Sequence, residues 1–236
     1  MKVVFAGPSL CRARVDFTGI NLRPPARQGD ILRAVRDGAV AIGLVDGVFG
    51  FVPSVWHKEI LFALSEGVAV LGAASLGALR AAECHPFGMQ PIGTIAAEYV
   101  AGTRRDDGDV CLVHGPAELD FMPLSEPLVD VEATIAAMVA ASAATDAEAG
   151  ALLEAARTLY FGDRDLERLC AEAGLPTFAQ RYDRHRVGAK TRDALELVAE
   201  LRQCSDQRGS RPDWDFVASD PWRSYLSRRE RGASDE

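Results

Sequence analysis

The chain has no CxxC pair, no GxxxxGK[ST] loop and no GxGxxG fingerprint. These absences remove the usual signs of a zinc knuckle, a dithiol redox centre, a P-loop and a dinucleotide-binding turn. Its five cysteines, Cys11, Cys84, Cys111, Cys170 and Cys204, are odd in number and widely spaced, so reduced thiols are expected rather than a disulfide framework. Positive charge is also short: 26 Lys and Arg stand against 34 Asp and Glu, a formal net charge of −8. A general affinity for nucleic acid or for an anionic membrane needs a basic surface, and none is expected here. No uncharged run exceeds roughly 13 residues, well under a transmembrane helix. The opening MKVVFAGPSL has too brief an apolar stretch for a signal peptide and reads as a first core strand. A cytoplasmic protein is the expectation.

What is present is an ordinary globular composition, 48% hydrophobic and 25% charged over 236 residues, enough for one large domain or a domain with a helical appendage. Residues 3–6, 39–45 and 68–71 are apolar runs bounded by turn signals, as strands buried on both faces should be. Residues 110–113 are a candidate fourth strand. Between these runs lie helical stretches. One covers 31–36, with Asp30 as its cap and Gly38 at its end. A second covers 55–65, opened by Pro53 and Ser54, with Trp56, Ile60 and Leu64 as a core stripe. Others cover about 76–83, capped by Ser75, and about 94–101. Residues 23–26, Arg-Pro-Pro-Ala, must be extended or turn. Strand alternating with helix predicts a parallel α/β sheet of Rossmann or flavodoxin type. Past Pro127 the runs become rich in Ala, Leu, Glu and Arg, which predicts four or five helices broken at Gly162-Asp163 and Pro176. From Ser205 the sequence turns polar and charged, with the closing GASDE frayed. The expected division is an α/β core over 1–126 and a helical region over 127–236, the latter serving as a protein interface or forming a second small core.

Polar residues able to do chemistry follow the apolar runs, and in an open α/β sheet the crevice beyond the carboxyl ends of the strands is where ligands bind. Ala73-Ala74-Ser75-Leu76-Gly77 is placed like a nucleophile elbow, with alanine for the first glycine of GxSxG. Ser75 reads either as a nucleophile, with the N–H groups of Leu76 and Gly77 holding an oxyanion, or as a simple helix cap. His57 reads as a base for Ser75 oriented by Asp46, or as a surface histidine. Lys58, Glu59, Arg80 and Glu83 are a solvated face or a place where Lys58 and Arg80 attract an anion. Gly7-Pro8-Ser9 is a tight turn or an anion-binding nest. The charged stretch 104–109 lacks the rest of an EF-hand and reads as a turn. Cys84 and His85 are two neighbours, not a ligand set, so no metal is expected.

Together FAGPSL, PPARQGDILRA, IGLVDGVFGFVPSVWHKEILFALSEGVAVLGAASLGALRAAE and FGM, with DDGDV, HGPAE and PLSEPLVD further on, resemble the TfuA-like core domain over roughly residues 3–130. Departures are mild: Leu76 stands where the family usually has methionine, Gly108 where an acid is common, and Cys84 where an apolar residue is usual. The resemblance implies a protein that accompanies a YcaO enzyme in thioamide formation on a peptide backbone, either a ribosomal natural-product precursor or a glycine of methyl-coenzyme M reductase. It implies delivery of sulfide by hydrolysis of the C-terminal thiocarboxylate of a ThiS-like sulfur carrier. The other role it leaves open is a non-catalytic subunit that docks the carrier and stimulates YcaO. A small-molecule hydrolase outside the family is a third reading. On the catalytic reading Ser75, His57 and Asp46 do the chemistry, while Lys58, Arg80, Glu83, Ser9, Gly7, Leu76 and Gly77 bind substrate. No cofactor is implied, because YcaO would bind the ATP. Self-association is a further expectation.

Overall fold

The computed structural model describes residues 1–48, 50 and 52–232, the last five of these by backbone alone. The fraying expected of the closing residues falls, for 233–236, outside the described residues.

Five strands form one parallel sheet: β1 (Lys2–Phe5), β2 (Ile20–Arg23), β3 (Ala41–Leu44), β4 (Ala69–Gly72) and β5 (Gln90–Pro91). Their order is β2-β1-β3-β4-β5, the flavodoxin-like arrangement whose direction switches between β1 and β3. The expected α/β class is therefore present, with β1, β3 and β4 as neighbours. Two strands were not anticipated. β2 escapes notice because its burial runs inward, outward, outward, half-in, as suits an edge strand with little apolar signal. β5 is two residues long. Conversely, residues 110–113 are not a strand. Val110 is drawn into helix packing with Ile95, Val129 and Ala189, while residues 111–113 line a cavity.

Helices α1 (Asp30–Arg36), α2 (His57–Ser65), α3 (Leu76–Cys84) and α4 (Gly93–Val100) follow the strands. α1 is opened by Gly29 at φ 100°, not by a side-chain cap. Asp30 is instead its first residue, and its Oδ2 accepts the Arg27 N–H at 3.0 Å. α2 starts two residues later than predicted. Trp56 thus stands just before it and packs on Trp222 and Tyr225, while Ile60 and Leu64 do enter the core under the sheet.

The remaining helices are α5 (Leu128–Ala140), α6 (Asp146–Thr158), α7 (Leu166–Glu172), α8 (Ala179–Arg184), α9 (Ala189–Gln203) and α10 (Asp220–Gly232). The breaks at Gly162-Asp163 and Pro176 fall between α6 and α7 and between α7 and α8. α5 to α8 close around their own core of Leu128, Ile135, Leu152, Leu169, Phe178 and Tyr182.

α9 does something else. The connection from β1 to β2, residues 6–19, carries no helix, which would leave one face of the sheet bare. Leu197, Val198 and Leu201 of α9 fill that face against Val4, Ala41 and Leu71. The approach is close enough that a Cβ on Gly43 would lie 2.5 Å from Leu197 Cδ2, so β3 needs glycine there. The polar stretch after Ser205 ends in α10, whose Trp222 is 2% exposed and seats among Leu32, Trp56 and Phe62. No described helix is long and apolar enough to cross a membrane, and all five cysteines are free.

Candidate functional site

Three strand ends meet at the carboxyl edge of the sheet: β1 leads to Ser9, β3 to Asp46 and β4 to Ser75, all nearly fully buried. After β4 the chain reverses sharply. The Ser75 N–H donates to the Ala73 carbonyl at 2.7 Å, closing a three-residue turn about Ala74, whose φ is 63°. A turn of that kind is rare and strained, and alanine in the left-handed region carries a cost that persists only where the surroundings enforce it. Ser75 then precedes the first residue of α3, yet its side chain makes no capping hydrogen bond. Of the two readings of Ser75, the cap is the one that the geometry does not form.

The expected pair of oxyanion donors is reduced to one. Gly77 packs α3 onto β3 so tightly that a Cβ would sit 1.8 Å from the Leu44 carbonyl oxygen. Its N–H is taken by the Val45 carbonyl at 3.1 Å. Leu76, the first residue of α3, keeps an N–H with no acceptor inside the helix.

Asp46 does not orient His57. Its Oδ2 accepts the Gly7 N–H at 2.9 Å and the Ser9 N–H at 3.0 Å, and its Oδ1 accepts the Ser9 hydroxyl at 2.7 Å. The Gly7-Pro8-Ser9 nest is real, but its anion is internal: the Asp46 carboxylate. Gly7 and Ser9 therefore have their donors engaged within the fold.

His57 lies on the outer side of α2 and α3. Its Nε2 is 2.8 Å from Glu83 Oε2, which also accepts from Arg80 NH1 at 2.7 Å. Partial burial alone would raise the Glu83 pKa; the His57 hydrogen bond and the Arg80 guanidinium outweigh it and hold the carboxyl below its usual range. Arg80 Nε donates to the Val55 carbonyl. Lys58 donates to the Val217 carbonyl at 2.9 Å and lies over the Phe216 ring. Glu59 is fully buried and both of its oxygens accept the Gly29 N–H at the start of α1. These charges tie α1, α2, α3 and the segment before α10 together, so His57, Lys58, Arg80 and Glu83 form a structural cluster apart from Ser75.

What does surround Ser75 is a cavity of about 900 Å³. Ser75 and Asp46 line its floor. Residues 106–108 and 111–114 form one wall, residues 157–161 with Arg164 another, and Lys190 at the start of α9 a third. His114 belongs to this wall and was not singled out in the sequence. Its Nδ1 is 2.7 Å from the Gly115 carbonyl oxygen. A carbonyl only accepts, so Nδ1 must carry the proton and Nε2 is left as the basic nitrogen. The ring is held edge-on against Phe121. Cys111 also lines the cavity, but burial pushes its thiol up to about 11, which makes it a poor nucleophile. Cys84, under the sheet, is pushed by burial to about 12. A smaller cleft of about 340 Å³ at the amino ends of β3 and β4 has no histidine, cysteine or acid in its described lining.

The wall at 106–114 is pinned by Arg104, whose guanidinium meets Glu98 at 2.7 Å, Asp109 at 2.7 Å and Glu132 at 2.8 Å. The charged stretch is thus a fastened turn. Among the described residues, no three His, Cys, Asp or Glu side chains gather as a metal site would need.

A family model described as "TfuA-like protein" matches residues 46–165. The match runs from Asp46 to just past Arg164 and includes Ser75 and His114. Lys190 and Ser9 lie outside it. No curated protein matches the chain.

Proposed function

The chain belongs to the TfuA-like family, and from that premise we propose that it supplies sulfide to a YcaO partner by hydrolysing the C-terminal thiocarboxylate of a ThiS-like carrier. The role in the TfuA/YcaO system is general to the family; the hydrolysis and the carrier are the proposal. One observation carries it. Ser75 is set by a strained turn on the floor of a cavity, at a helix start, with its hydroxyl unused for capping.

On this reading Ser75 Oγ attacks the thiocarboxylate carbon while His114 Nε2 takes the hydroxyl proton. The Leu76 N–H faces the developing oxyanion, and hydrosulfide leaves with the proton. Water then hydrolyses the serine ester by the same base. The net change is thiocarboxylate plus water to carboxylate, hydrosulfide and a proton. Hydrosulfide is a far better leaving group than an amine, so one histidine without an orienting carboxylate suffices. Purified protein with a thiocarboxylated carrier tests this directly. Sulfide release that falls on the order of 10²-fold in Ser75→Ala, with the fold intact, is the expected result. Full activity in that variant would sink the serine mechanism.

A second reading, a docking subunit without chemistry of its own, is favoured by a different observation. The loop that walls the cavity exposes Val113, Leu119, Met122 and Leu124, and Tyr160 stands 64% exposed beside it. Apolar side chains gathered on one loop suit a protein partner. Sulfide release only in the presence of YcaO is the outcome that selects this reading.

A further inference from the structure

We propose that Lys190 and Arg164 form an anion grip inside the Ser75 cavity, taking the terminal carboxylate or thiocarboxylate of the acyl substrate. The inference rests on the hydrolase reading for its chemistry, but the grip itself is argued from charge and burial.

Both cations are nearly out of water, Lys190 at 2% exposure and Arg164 at 6%. Burying a cation is costly unless it is paired. Lys190 Nζ has a single hydrogen-bond partner, the Val110 carbonyl at 2.8 Å. Arg164 reaches the carbonyls of Leu159 at 3.2 Å and Gly108 at 3.1 Å. Neither forms an ion pair among the described residues. An ammonium has three donors and a guanidinium five, so both retain N–H groups beyond those used, and both side chains line the cavity.

The acids nearby are accounted for elsewhere. Asp46 is satisfied by Gly7 and Ser9. Asp109 pairs with Arg104, and Glu132 with Arg104 and Arg157. Asp106 accepts the Gly108 N–H, and both it and Asp107 are exposed to solvent, which screens them. Asp130 lines a smaller pocket together with Lys190; its Oδ1 accepts the Lys190 backbone N–H at 2.9 Å and it feels the Lys190 charge, but it forms no side-chain ion pair with it. The cavity therefore holds two buried cations that make no side-chain ion pair among the described residues, beside Ser75. Lys58 and Arg80, the cations that the sequence suggested for this role, are engaged outside it.

The chemistry is consistent with the site. A thiocarboxylate spreads its charge over oxygen and sulfur, which protects its carbonyl carbon from attack. Lys190 and Arg164 would neutralise that charge, expose the carbon to Ser75 Oγ, and then steady the departing hydrosulfide. A neutral thioester gains nothing from the pair. The structural alternative is that the two cations only fasten the wall at residues 106–114 through its carbonyls.

The test uses the full-length protein and three small probes: N-acetyl-Gly-Gly as carboxylate, as thiocarboxylate and as amide. The wild type is expected to bind the carboxylate at least ~10-fold more tightly than the amide by calorimetry, with the side-chain N–H signals of Arg164 and Lys190 shifting in NMR only for the charged probe. Lys190→Met and Arg164→Gln should each reduce the preference to within about threefold while Lys190→Arg restores it. No carboxylate preference in the wild type, or side-chain signals that do not move, overturns the grip even if the Met and Gln variants fail to fold. Folded variants that keep the full preference also overturn it. The two ideas fail separately: sulfide release without an anion preference removes the grip alone, and an anion preference without sulfide release removes the hydrolase alone.

Discussion

The Ser9 hydroxyl donates to Asp46 Oδ1 at 2.7 Å across 37 residues of chain. This bond joins the turn after β1 to the turn after β3, at the point where the strand order reverses. Two backbone N–H groups on the same carboxylate make it a buried anion with three donors. Asp46→Ala is expected to strand those donors and cost about 3 kcal/mol or more. Asp46→Asn, which keeps one acceptor, should cost about 1–2, and Ser9→Ala about 1 kcal/mol. Denaturant melts check the order. The His57 ring signals in NMR should stay in place in Asp46→Asn, whereas an Asp46–His57 hydrogen bond would require them to move.

The two histidines separate cleanly by experiment. His114→Asn is expected to lower sulfide release from a thiocarboxylated carrier by about 10²-fold or more, and His57→Asn to leave it within about threefold. His57 belongs to the Glu83 and Arg80 cluster and is 44% exposed on its side chain, so its loss should cost only a few tenths to about 1 kcal/mol of stability. A His57→Asn enzyme that is inactive while His114→Asn is active would return the base to α2.

Arg104 is the cation shared by Glu98, Asp109 and Glu132, with its side chain 14% exposed, and Arg157 pairs with Glu132 as well at 3.1 Å. Arg104→Met leaves Glu98 and Asp109 without their cation and Glu132 with Arg157 alone. The expected loss is about 3–5 kcal/mol, accompanied by faster amide exchange over residues 106–114. Replacing Glu132 by Gln in the same chain should recover part of it, because one of the repelling charges is gone.

The contribution of Asp130 to stability should fall as pH rises from about 4 to about 6. Burial raises its pKa from 3.8 to about 6, although the N–H and the charge of Lys190 pull the other way. Below about 4 both folded and unfolded chains hold the proton. Between the two values the unfolded chain has released it and the folded chain has not, so folding is progressively disfavoured. Above about 6 the loss is complete, at most roughly 3 kcal/mol. Asp130→Asn should flatten that segment of the curve. An unchanged slope in the variant would assign it to another group.

Hydrophobic pattern and punctuation were sufficient for a good part of this molecule. The runs at β1, β3 and β4 are apolar because both faces are covered, and that alone marks them as inner parallel strands. The turn residues that follow them put Ser9, Asp46 and Ser75 at one edge before any coordinate is known. Periodicity, however, states which side of an element is buried, not what buries it. That α9, some 150 residues further along, would cover the bare face of the sheet is decided by the missing β1–β2 helix, a vacancy with no local signature. The partners of polar side chains are equally non-local. Asp46 was free, on sequence, to bond His57 or Ser9, and only the adjacency of β1 and β3 chose Ser9. His114, Arg164 and Lys190 carry no spacing that ties them to Ser75. They meet because a wall pinned by Arg104, the α6–α7 connection and the start of α9 close over the same strand ends.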